Sequence, residues 1–265
     1  MSGSADDELW RALWTGQPPL PTHRRRRLLA AIPSSPRCKV CCAPFRGVGR
    51  MVMSVIGVRR SAKNPNFCSF CDDMARNHPG GAEVELSLLF ADVRGSTALA
   101  EGLSPRHFKE RMERFYRSAT QVLIDCDAFI DKLVGDEVVG LFLPGMVSPE
   151  HARKAVLAAR ALLVNVAQGA RLPVGAGVHT GVAYVGTVEG SGGAVRDIAA
   201  VGDAVNTTAR LASTAQAGEA LISEAAYAAA SLDLGEHELR HLQLKGKAQP
   251  IRVHVMRADD SVPAQ

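Results

Sequence analysis

The sequence lacks any apolar run long enough to cross a bilayer, which takes roughly 18 consecutive residues. The stretch over residues 51–58 is too short, and Arg160 and Asn165 interrupt the alanine-rich run of the second half. The first residues are acidic, whereas a secretory signal begins with basic ones. We therefore expect a cytoplasmic protein with no transmembrane segment.

The chain also carries only a small excess of positive over negative charge. The formal net charge is +4, and the arginines of residues 23–27 supply much of the excess. This excess is too small to predict a nucleic-acid partner, and we expect none. The hydrophobic content of 46% and the charged content of 22% exclude an intrinsically disordered chain.

Aromatic residues make up only 5% of the chain, and both tryptophans lie near the N-terminus. Trp10 and Trp14 can share one face of a short helix with Leu9 and Leu13, just before the arginine run. We interpret this segment as a helix docked on the protein surface and followed by solvated arginines. The alternative is a weak peripheral contact with an anionic membrane surface.

The six cysteines are few but clustered, because five of them fall within residues 37–80. The two C-x₂-C pairs are Cys38 with Cys41 and Cys68 with Cys71. Two such pairs can place four thiolates around one tetrahedral ion, and in the cytoplasm they hold metal more often than they form disulfides. We expect structural Zn²⁺ here. Cys42 could replace Cys41 as a ligand, and Cys126 is expected in the core.

Two alternatives to zinc remain at this cluster. Thiolate ligation also suits an iron–sulfur cluster. Reduced cysteines without metal are the other alternative, since the 26 residues between Cys41 and Cys68 exceed the common spacer of about 15–20.

Composition divides the chain into four parts. A proline-rich break at Pro18, Pro19 and Pro21 interrupts the first part, and the linker His78-Pro79-Gly80-Gly81 ends the second. The parts are a helical and basic N-terminal segment (1–36), a cysteine-rich metal-binding segment with its linker (37–81), the main domain (83–257) and a tail (258–265).

The main domain alternates strand-like and helix-like segments. Helices are predicted after Ser104-Pro105, after Ser148-Pro149, and over residues 203–215. Two hairpins are predicted, one joining residues 129–134 to 138–143 and the other joining 173–179 to 182–188. Further strands are predicted at residues 86–90, 220–222, 239–244 and 251–256. Helices interspersed with hairpins indicate an α+β sandwich rather than a doubly wound parallel sheet.

Two carboxylates mark the candidate site within this domain. Asp92 ends the apolar strand at residues 86–90, and Asp136 lies in the tight turn of the first hairpin. Asp136 taken alone reads as an ordinary turn residue. Together, however, two carboxylates at the ends of neighbouring strands suit Mg²⁺ or Mn²⁺, which bind carboxylates and substrate phosphates. Gly95, Ser96 and Thr97 add backbone N–H groups and hydroxyls where a polyphosphate would lie.

Four segments, in order, resemble the motifs of the catalytic domain of class III adenylate and guanylate cyclases. They are LLFADVRGSTAL, DKLVGDEVVGLF, VGDAVNTTARLA and LQLKGKAQPI, and the resemblance covers roughly residues 84–256. It implies a ferredoxin-like α+β sandwich, preceded here by a small cysteine-rich metal knuckle. It also implies a head-to-tail homodimer whose active sites are shared between two chains.

The resemblance implies a two-metal reaction. Asp92, Asp136 and the Val93 carbonyl would hold two Mg²⁺ or Mn²⁺ ions per active site. One ion would activate the ribose 3′-hydroxyl and the other would hold the triphosphate. The hydroxyl would then attack the α-phosphate in line, and pyrophosphate would leave.

Three further residues match the family's catalytic and phosphate-binding positions. Asn206 and Arg210 lie four residues apart on a predicted helix and so on one face. Asn206 would orient the ribose, and Arg210 would meet the charge that develops on the α-phosphate. Lys245 matches the lysine on the terminal phosphates, with Lys247 as a helper. These residues would come from the chain opposite the metal ligands.

The residues that match the family's base-reading positions favour ATP, with one departure. Lys132, from the same chain as Arg210, could donate to N1 of adenine, whereas guanine would call for an acceptor. The second position usually holds aspartate or threonine, which accepts from the adenine amino group, but here it is Ala199. An unpaired buried amino group costs about 1–3 kcal/mol, unless a backbone carbonyl, a water or a shifted Asp197 replaces the contact.

We therefore expect an adenylate cyclase that makes 3′,5′-cyclic AMP for intracellular signalling. The alternatives are a catalytically silent nucleotide-binding module of the same fold, a guanylate cyclase, and a cysteine-knuckle DNA-binding regulator, for which no recognition helix follows the knuckles. We also expect the cysteine cluster to stabilise or regulate the dimer, because each active site would need both chains.

Overall fold

A computed structural model describes residues 5–17, 23–190 and 196–260 of the protein. The described residues form one eight-stranded mixed sheet with helices packed against it. The strands are β1 (Gly81–Val93), β2 (Phe129–Val134), β3 (Glu137–Phe142), β4 (Val174–Glu189), β5 (Arg196–Val201), β6 (Glu219–Ser223), β7 (Leu239–Leu242) and β8 (Ile251–Arg257). Their order across the sheet is β2-β3-β1-β4-β6-β8-β7, and β5 pairs with the remaining length of β4.

The three helices predicted for the main domain lie close to their expected positions, and over the described residues the structure has ten helices. They are α1 (Ala5–Thr15), α2 (His23–Ala30), α3 (Gly47–Val55), α4 (Ser69–Asn77), α5 (Ser96–Glu101), α6 (Pro105–Asp125), α7 (Pro144–Val147), α8 (His151–Gln168), α9 (Asp203–Thr214) and α10 (Glu224–Ala230). The start of α6 is confirmed, since Ser104 caps it by accepting a hydrogen bond from the His107 N–H. In the part of the chain that the structure describes, no helix is long and apolar enough to span a bilayer.

One predicted hairpin is confirmed and the other is wrong. β2 and β3 pair as an antiparallel hairpin, as expected. Residues 173–179 and 182–188, in contrast, do not fold back on each other but belong to the single strand β4. The reason is that β1 offers backbone partners along most of β4, from Gly81 opposite Gly186 to Val93 opposite Val174. Gly181, expected near a turn, pairs instead with Leu86.

Helix α9 approaches the centre of the sheet very closely. It packs on β4 and β1, and the approach is possible because Gly177 of β4 has no side chain. A Cβ atom there would lie 2.4 Å from the Ala212 backbone nitrogen and 2.7 Å from the Thr208 carbonyl oxygen. The backbone of α9 is thus held directly against the strand that pairs with β1.

The N-terminal helix α1 is part of the core. Trp10 and Trp14 are both buried, and the Trp14 indole N–H donates to the Val185 carbonyl oxygen at 3.0 Å. The helix is docked, as expected, and its tryptophan face is not available for the alternative, a membrane contact, because β1, β4 and the cysteine-rich segment cover that face. The prolines of the predicted break lie outside the described residues.

The cysteine-rich segment shares this core. Phe67, between the two cysteine pairs, stacks on Trp14 and also contacts Phe129 of β2, with ring centroids 6.5 Å and 5.7 Å apart. Gly81, the expected end of the linker, lies in β1 and is buried. In the predicted tail, residues 258–260 follow β8, and 261–265 lie outside the described residues.

Candidate active site

The end of β1 brings the two predicted carboxylates together. Asp92 is the register partner of Glu137, the first residue of β3, and Asp136 directly precedes it in the β2–β3 turn. The Val93 N–H donates to the Asp136 carbonyl oxygen at 3.1 Å, which fixes this turn against the end of β1. The placement follows from the pairing of β1 with β3, as the sequence predicted.

Burial and the repulsion between neighbouring carboxylates disfavour negative charge at this site. Burial chiefly, with the neighbouring Asp136, raises the pKa of Asp92 to about 6, although Arg94 opposes the shift. Burial also raises the pKa of Glu137, together with the charges of both aspartates. A divalent cation would relieve this repulsion, and its oxygen donors are those that Mg²⁺ or Mn²⁺ prefers. The carboxylate pair therefore fits the metal that the sequence suggested.

Arg94 is a site residue that the sequence analysis missed. Its guanidinium donates to the Asp92 carboxylate and, at 2.7 Å, to the Ser213 carbonyl oxygen near the end of α9. It thus supplies a counter-charge to Asp92 and ties β1 to α9. The sequence offered one clue to this role, since Arg94 lies only two residues after Asp92.

Two contacts outside the strands also fix the turn that carries Asp136. Ser96, at the start of α5, donates through its hydroxyl to the Asp136 carboxylate. The Tyr116 hydroxyl of α6 donates to the Gly135 carbonyl oxygen at 2.5 Å. Gly95 precedes α5 with φ +67°, a left-handed conformation that glycine adopts at low cost. Thr97 is exposed, so its hydroxyl is free to face a ligand.

The other predicted catalytic residues form a second group. Asn206 is exposed on α9, and Arg210 of the same helix reaches the loop between β7 and β8. A Cβ atom built on Gly246 would lie 3.3 Å from the nearest guanidinium nitrogen of Arg210, so the arginine rests on this turn beside the exposed Lys245. Lys247 is paired with Asp203 rather than free to act as a helper.

The two groups are separate within one chain. Over the described residues, no hydrogen bond or ion pair joins the carboxylates of Asp92 and Asp136 to Asn206, Arg210 or Lys245. Within one chain these residues therefore form two groups that make no polar contact with each other, one with metal-ligand chemistry and one with phosphate-binding chemistry.

Beside the predicted base-reading residue Lys132 lies a buried carboxylate, Asp131, that the sequence did not single out. Lys132 is exposed on β2, while Ala199 is buried on β5 opposite Gly186. Asp131, next to Lys132, is only 3% exposed, and its Oδ1 has no partner. Burial raises the pKa of Asp131 to about 6, against the charge of Lys132. The register of β2 shifts between Ile130 and Lys132, which leaves Asp131 out of the regular ladder.

Asp197, which was considered as a replacement for the contact missing at Ala199, is engaged elsewhere. Its carboxylate forms ion pairs with Lys63 and Arg76 of the cysteine-rich segment. It is therefore not free to accept from a base in this arrangement.

The four predicted cysteines meet in one buried cluster. The Sγ atoms of Cys38, Cys41, Cys68 and Cys71 all lie within 4.8 Å of one another, and the Cys41–Cys68 separation is 3.6 Å. Zinc–sulfur bonds of about 2.3 Å in a tetrahedron give an edge of about 3.8 Å, so the spacing fits one four-coordinate ion. Cys42 lies outside the cluster, and Cys126 is half-buried at the end of α6.

The mixed sheet, its helices and the order of the motifs define a class III cyclase domain. The family model of the adenylate and guanylate cyclase catalytic domain matches residues 82–257, and the chain belongs to this family.

Solved structures of the family share the fold. The crystal structure of the guanylyl cyclase Cya2 matches with a TM-score of 0.62 and 24% identity, over 66% of this chain and 93% of that one. The adenylyl cyclase CyaB from P. aeruginosa matches with the same score and identity, over 68% of this chain and 98% of that one. The expected α+β cyclase fold is thereby confirmed.

Curated relatives include proteins named adenylate cyclase. One from Mycobacterium tuberculosis is 32% identical over 171 residues, which is 62% of this chain and 37% of the relative. Another, from Anabaena cylindrica, is 27% identical over 135 residues, which is 48% of this chain and 26% of the relative. The chain thus spans only a minor part of the length of these relatives.

Proposed function

We propose that this chain is an adenylate cyclase that converts ATP to 3′,5′-cyclic AMP and pyrophosphate. The observation that carries the proposal is that Asp92 and Asp136 lie side by side at the end of β1, in a domain that also contains Asn206, Arg210 and Lys245. The relatives named adenylate cyclase support the choice of product.

The carboxylates of Asp92 and Asp136, with the Val93 carbonyl, would hold two Mg²⁺ or Mn²⁺ ions, which supply Lewis-acid activation of the 3′-hydroxyl. Asn206 orients the ribose, and the Arg210 guanidinium stabilises the charge that develops on the α-phosphate. The bond from O3′ to the α-phosphorus forms as the bond to the pyrophosphate oxygen breaks. The hydroxyl proton is released, and pyrophosphate leaves with its charge.

Phosphate contacts come from both groups of residues. Gly95, Ser96 and Thr97 offer N–H and hydroxyl groups beside the carboxylates. Lys245, at the turn against which Arg210 rests, neutralises the terminal phosphates. A polyphosphate bound between the two groups would therefore meet positive charge at one end and metal ligands at the other.

The active enzyme is proposed to be a homodimer with two shared sites, since the two groups of residues are separate in one chain. Apolar side chains exposed on β2, β4 and β5 support such a pairing, because a monomer rarely leaves several on one sheet. They are Leu133, Val134, Val182, Tyr184 and Val201.

ATP is the proposed substrate because Lys132 can donate to N1 of adenine. Asp131 is proposed to supply the acceptor that Ala199 lacks, since its Oδ1 is unpartnered and it lies next to Lys132. The absence of a side-chain acceptor at Ala199 favours a second candidate, a catalytically silent module that binds nucleotide. Product formation decides between the two.

The choice between ATP and GTP can be tested directly with purified protein and Mn²⁺, with each nucleotide offered separately. The wild-type chain is expected to form cyclic AMP. We expect Lys132→Glu to lower kcat/KM for ATP by about 10–100-fold, because the donor to N1 is replaced by an acceptor. Asp131→Ala should lower it by about tenfold, through the lost acceptor.

The matched control for charge reversal is Arg111→Glu, at an exposed position of α6. Cyclic GMP as the main wild-type product would contradict the role given to Lys132. Nucleotide binding without any product would favour the silent module.

The pH dependence of metal binding at Asp92 gives a second prediction, because a proton and a metal ion compete for the same carboxylate. Because the folded pKa is raised to about 6, the folded metal-free protein keeps a proton that the unfolded chain has released. This contribution to stability is fully present below the ordinary carboxyl pKa of about 4 and is lost as the pH rises through about 6. Metal binding needs the ionised carboxylate, so the rise in Tm on adding Mn²⁺ should be small at pH 5 and larger at pH 7.5.

Thermal melts at both pH values, with and without Mn²⁺, check this expectation. In Asp92→Asn the pH dependence of the Mn²⁺ effect should disappear. An equal rise in Tm at both pH values in the wild type would contradict it.

At the cysteine cluster we propose one structural Zn²⁺. The sulfur spacing supports a single ion, because an iron–sulfur cluster attaches its cysteines to different metal atoms and so spreads them farther apart. The burial of all four thiols fits a closed structural site without an open coordination position.

A further inference from the structure

The cysteine-rich segment reaches the strand that carries Lys132. Its residues 61–67 form a loop, here called the knuckle loop, that lies against β2 and the end of α6. The Ile130 N–H of β2 donates to Oδ1 of Asn64 at 2.7 Å. The side-chain amide of Asn66 donates to the carbonyl oxygens of Ile124 and Ala128 at 3.2 Å and 3.3 Å. Both asparagines are buried, so their side chains satisfy backbone groups at the start of β2 that water does not reach.

The cysteine-rich segment also contacts β5, the strand that carries Ala199. Lys63 of the knuckle loop and Arg76 of α4 both form ion pairs with Asp197. Burial alone would raise the pKa of Asp197, but the two cations lower it below its ordinary value. Asp197 lies two residues before Ala199, so its side chain projects from the same side of the strand.

The residues that make these contacts are tied to the cysteines. Helix α4 follows Cys68 directly and contains both Cys71 and Arg76. Asp72 of this helix accepts from the Ser61 hydroxyl at 2.8 Å and pairs with Arg76 at 3.2 Å, which joins the knuckle loop to the helix. An ion held by the four thiolates would therefore fix the position of the loop and of Arg76 together.

We propose that the cysteine-rich segment positions β2 and β5 for nucleotide binding, with Lys63 and Arg76 as the positioning residues and the bound metal as their support. The proposal rests on the proposed function for the roles of Lys132 and Ala199. It adds a direct contact within one chain to the expected effect of the cysteine cluster on the dimer.

The charge pairs on Asp197 are too exposed to serve mainly as global stabilisers. The side chains of Lys63, Arg76 and Asp197 are 34%, 20% and 42% exposed, and ion pairs of this kind add little to the stability of a whole domain. Their loss should therefore act locally, on the strand that Asp197 belongs to.

The test uses the full chain with Lys63→Met and Arg76→Met combined. The matched control is Arg59→Met, which removes an exposed arginine of the same segment with no ion pair among the described residues. The rescue variant combines Lys63→Arg with Arg76→Lys, which keeps both charges. Three quantities are measured: zinc content, hydrogen exchange of residues 196–201 compared with 219–223, and KM and kcat for ATP.

In the double methionine variant, we expect zinc content to stay at one ion per chain. Hydrogen exchange in residues 196–201 should become about tenfold faster, because β5 loses the ion pairs that hold Asp197. Exchange in residues 219–223 of β6 should remain unchanged. KM for ATP should rise by about five- to tenfold with kcat nearly constant, and the rescue variant should restore both quantities.

The metal is tested separately by removing zinc from the wild type with a chelator. The same acceleration in residues 196–201 is expected, and Cys71→Ser should reproduce it if that variant folds. Unchanged exchange in β5 after the double substitution or after zinc removal would overturn the proposal. So would a purified wild-type chain without bound metal. Hydrogen exchange and zinc content require no cyclase activity, so these results stand even where the adenylate cyclase assignment fails.

Discussion

Replacing Asp92 by alanine is expected to reduce cyclic AMP formation by at least about a thousandfold. The carboxylate would help to hold the metal ions, so its loss would weaken both the activation of the 3′-hydroxyl and the neutralisation of the phosphates. The product is measured with saturating Mn²⁺ and ATP. Asp73→Ala, at an exposed position of α4, is the matched control and should leave the rate unchanged.

Stability separates this loss of activity from misfolding. Burial and the charge of Asp136 both disfavour the ionised form of Asp92. The metal-free variant should therefore melt at a temperature equal to or above that of the wild type near pH 7, as is common where a site sacrifices stability for function. Activity retained within about tenfold would show that Asp92 is not an essential ligand.

Arg210→Ala is expected to lower kcat by about 100–1,000-fold with a small change in KM for ATP. The guanidinium would act on charge that appears mainly in the transition state, so its loss affects kcat more than substrate binding. Arg210→Lys should recover only part of the rate, because an ammonium group cannot bind two phosphate oxygens in one plane.

Initial rates over a range of ATP concentrations check the effect of Arg210. Arg111→Ala, on the exposed surface of α6, is the control. A rise in KM with kcat preserved would instead assign Arg210 to ground-state binding of the phosphates.

The position of the carboxylate pair could be predicted from the sequence because it depends on local signals. The sequence indicated both an apolar strand that ends in Asp92 and a turn that contains Asp136. The pairing of β1 with β3 brings the two together. Helix α9 was equally readable, so the placement of Asn206 and Arg210 on one helix followed from their spacing.

The continuity of β4 could not be predicted in the same way. Thr180-Gly181 looks like a turn when only neighbouring residues are considered. Whether the chain turns there is decided by β1, whose partners lie roughly 80 to 105 residues away in the sequence. Burial of the N-terminal tryptophans likewise depends on distant strands, since Trp14 donates to Val185, 171 residues further along.

The contacts around β2 and β5, the strands that carry Lys132 and Ala199, could not be predicted from the sequence either. Lys63 and Asp197 are 134 residues apart, and an ion pair at that separation leaves no periodic pattern to detect. Asp131 stood beside Lys132 in the sequence, but the burial of its side chain and the unpartnered Oδ1 are features of the folded strand, whose register shifts at this point.

Each active site is proposed to take its metal ligands from one chain and its catalytic arginine from the other. The most direct measurement mixes two inactive variants, Asp92→Ala and Arg210→Ala, at equal concentrations under conditions of subunit exchange. Half of the dimers are then mixed, and each mixed dimer has one site with both groups intact, so about a quarter of the wild-type activity should return. A mixture of Asp92→Ala with Asp136→Ala, whose defects lie in the same group, should stay inactive. No recovery in the first mixture, with subunit exchange demonstrated, would contradict the claim.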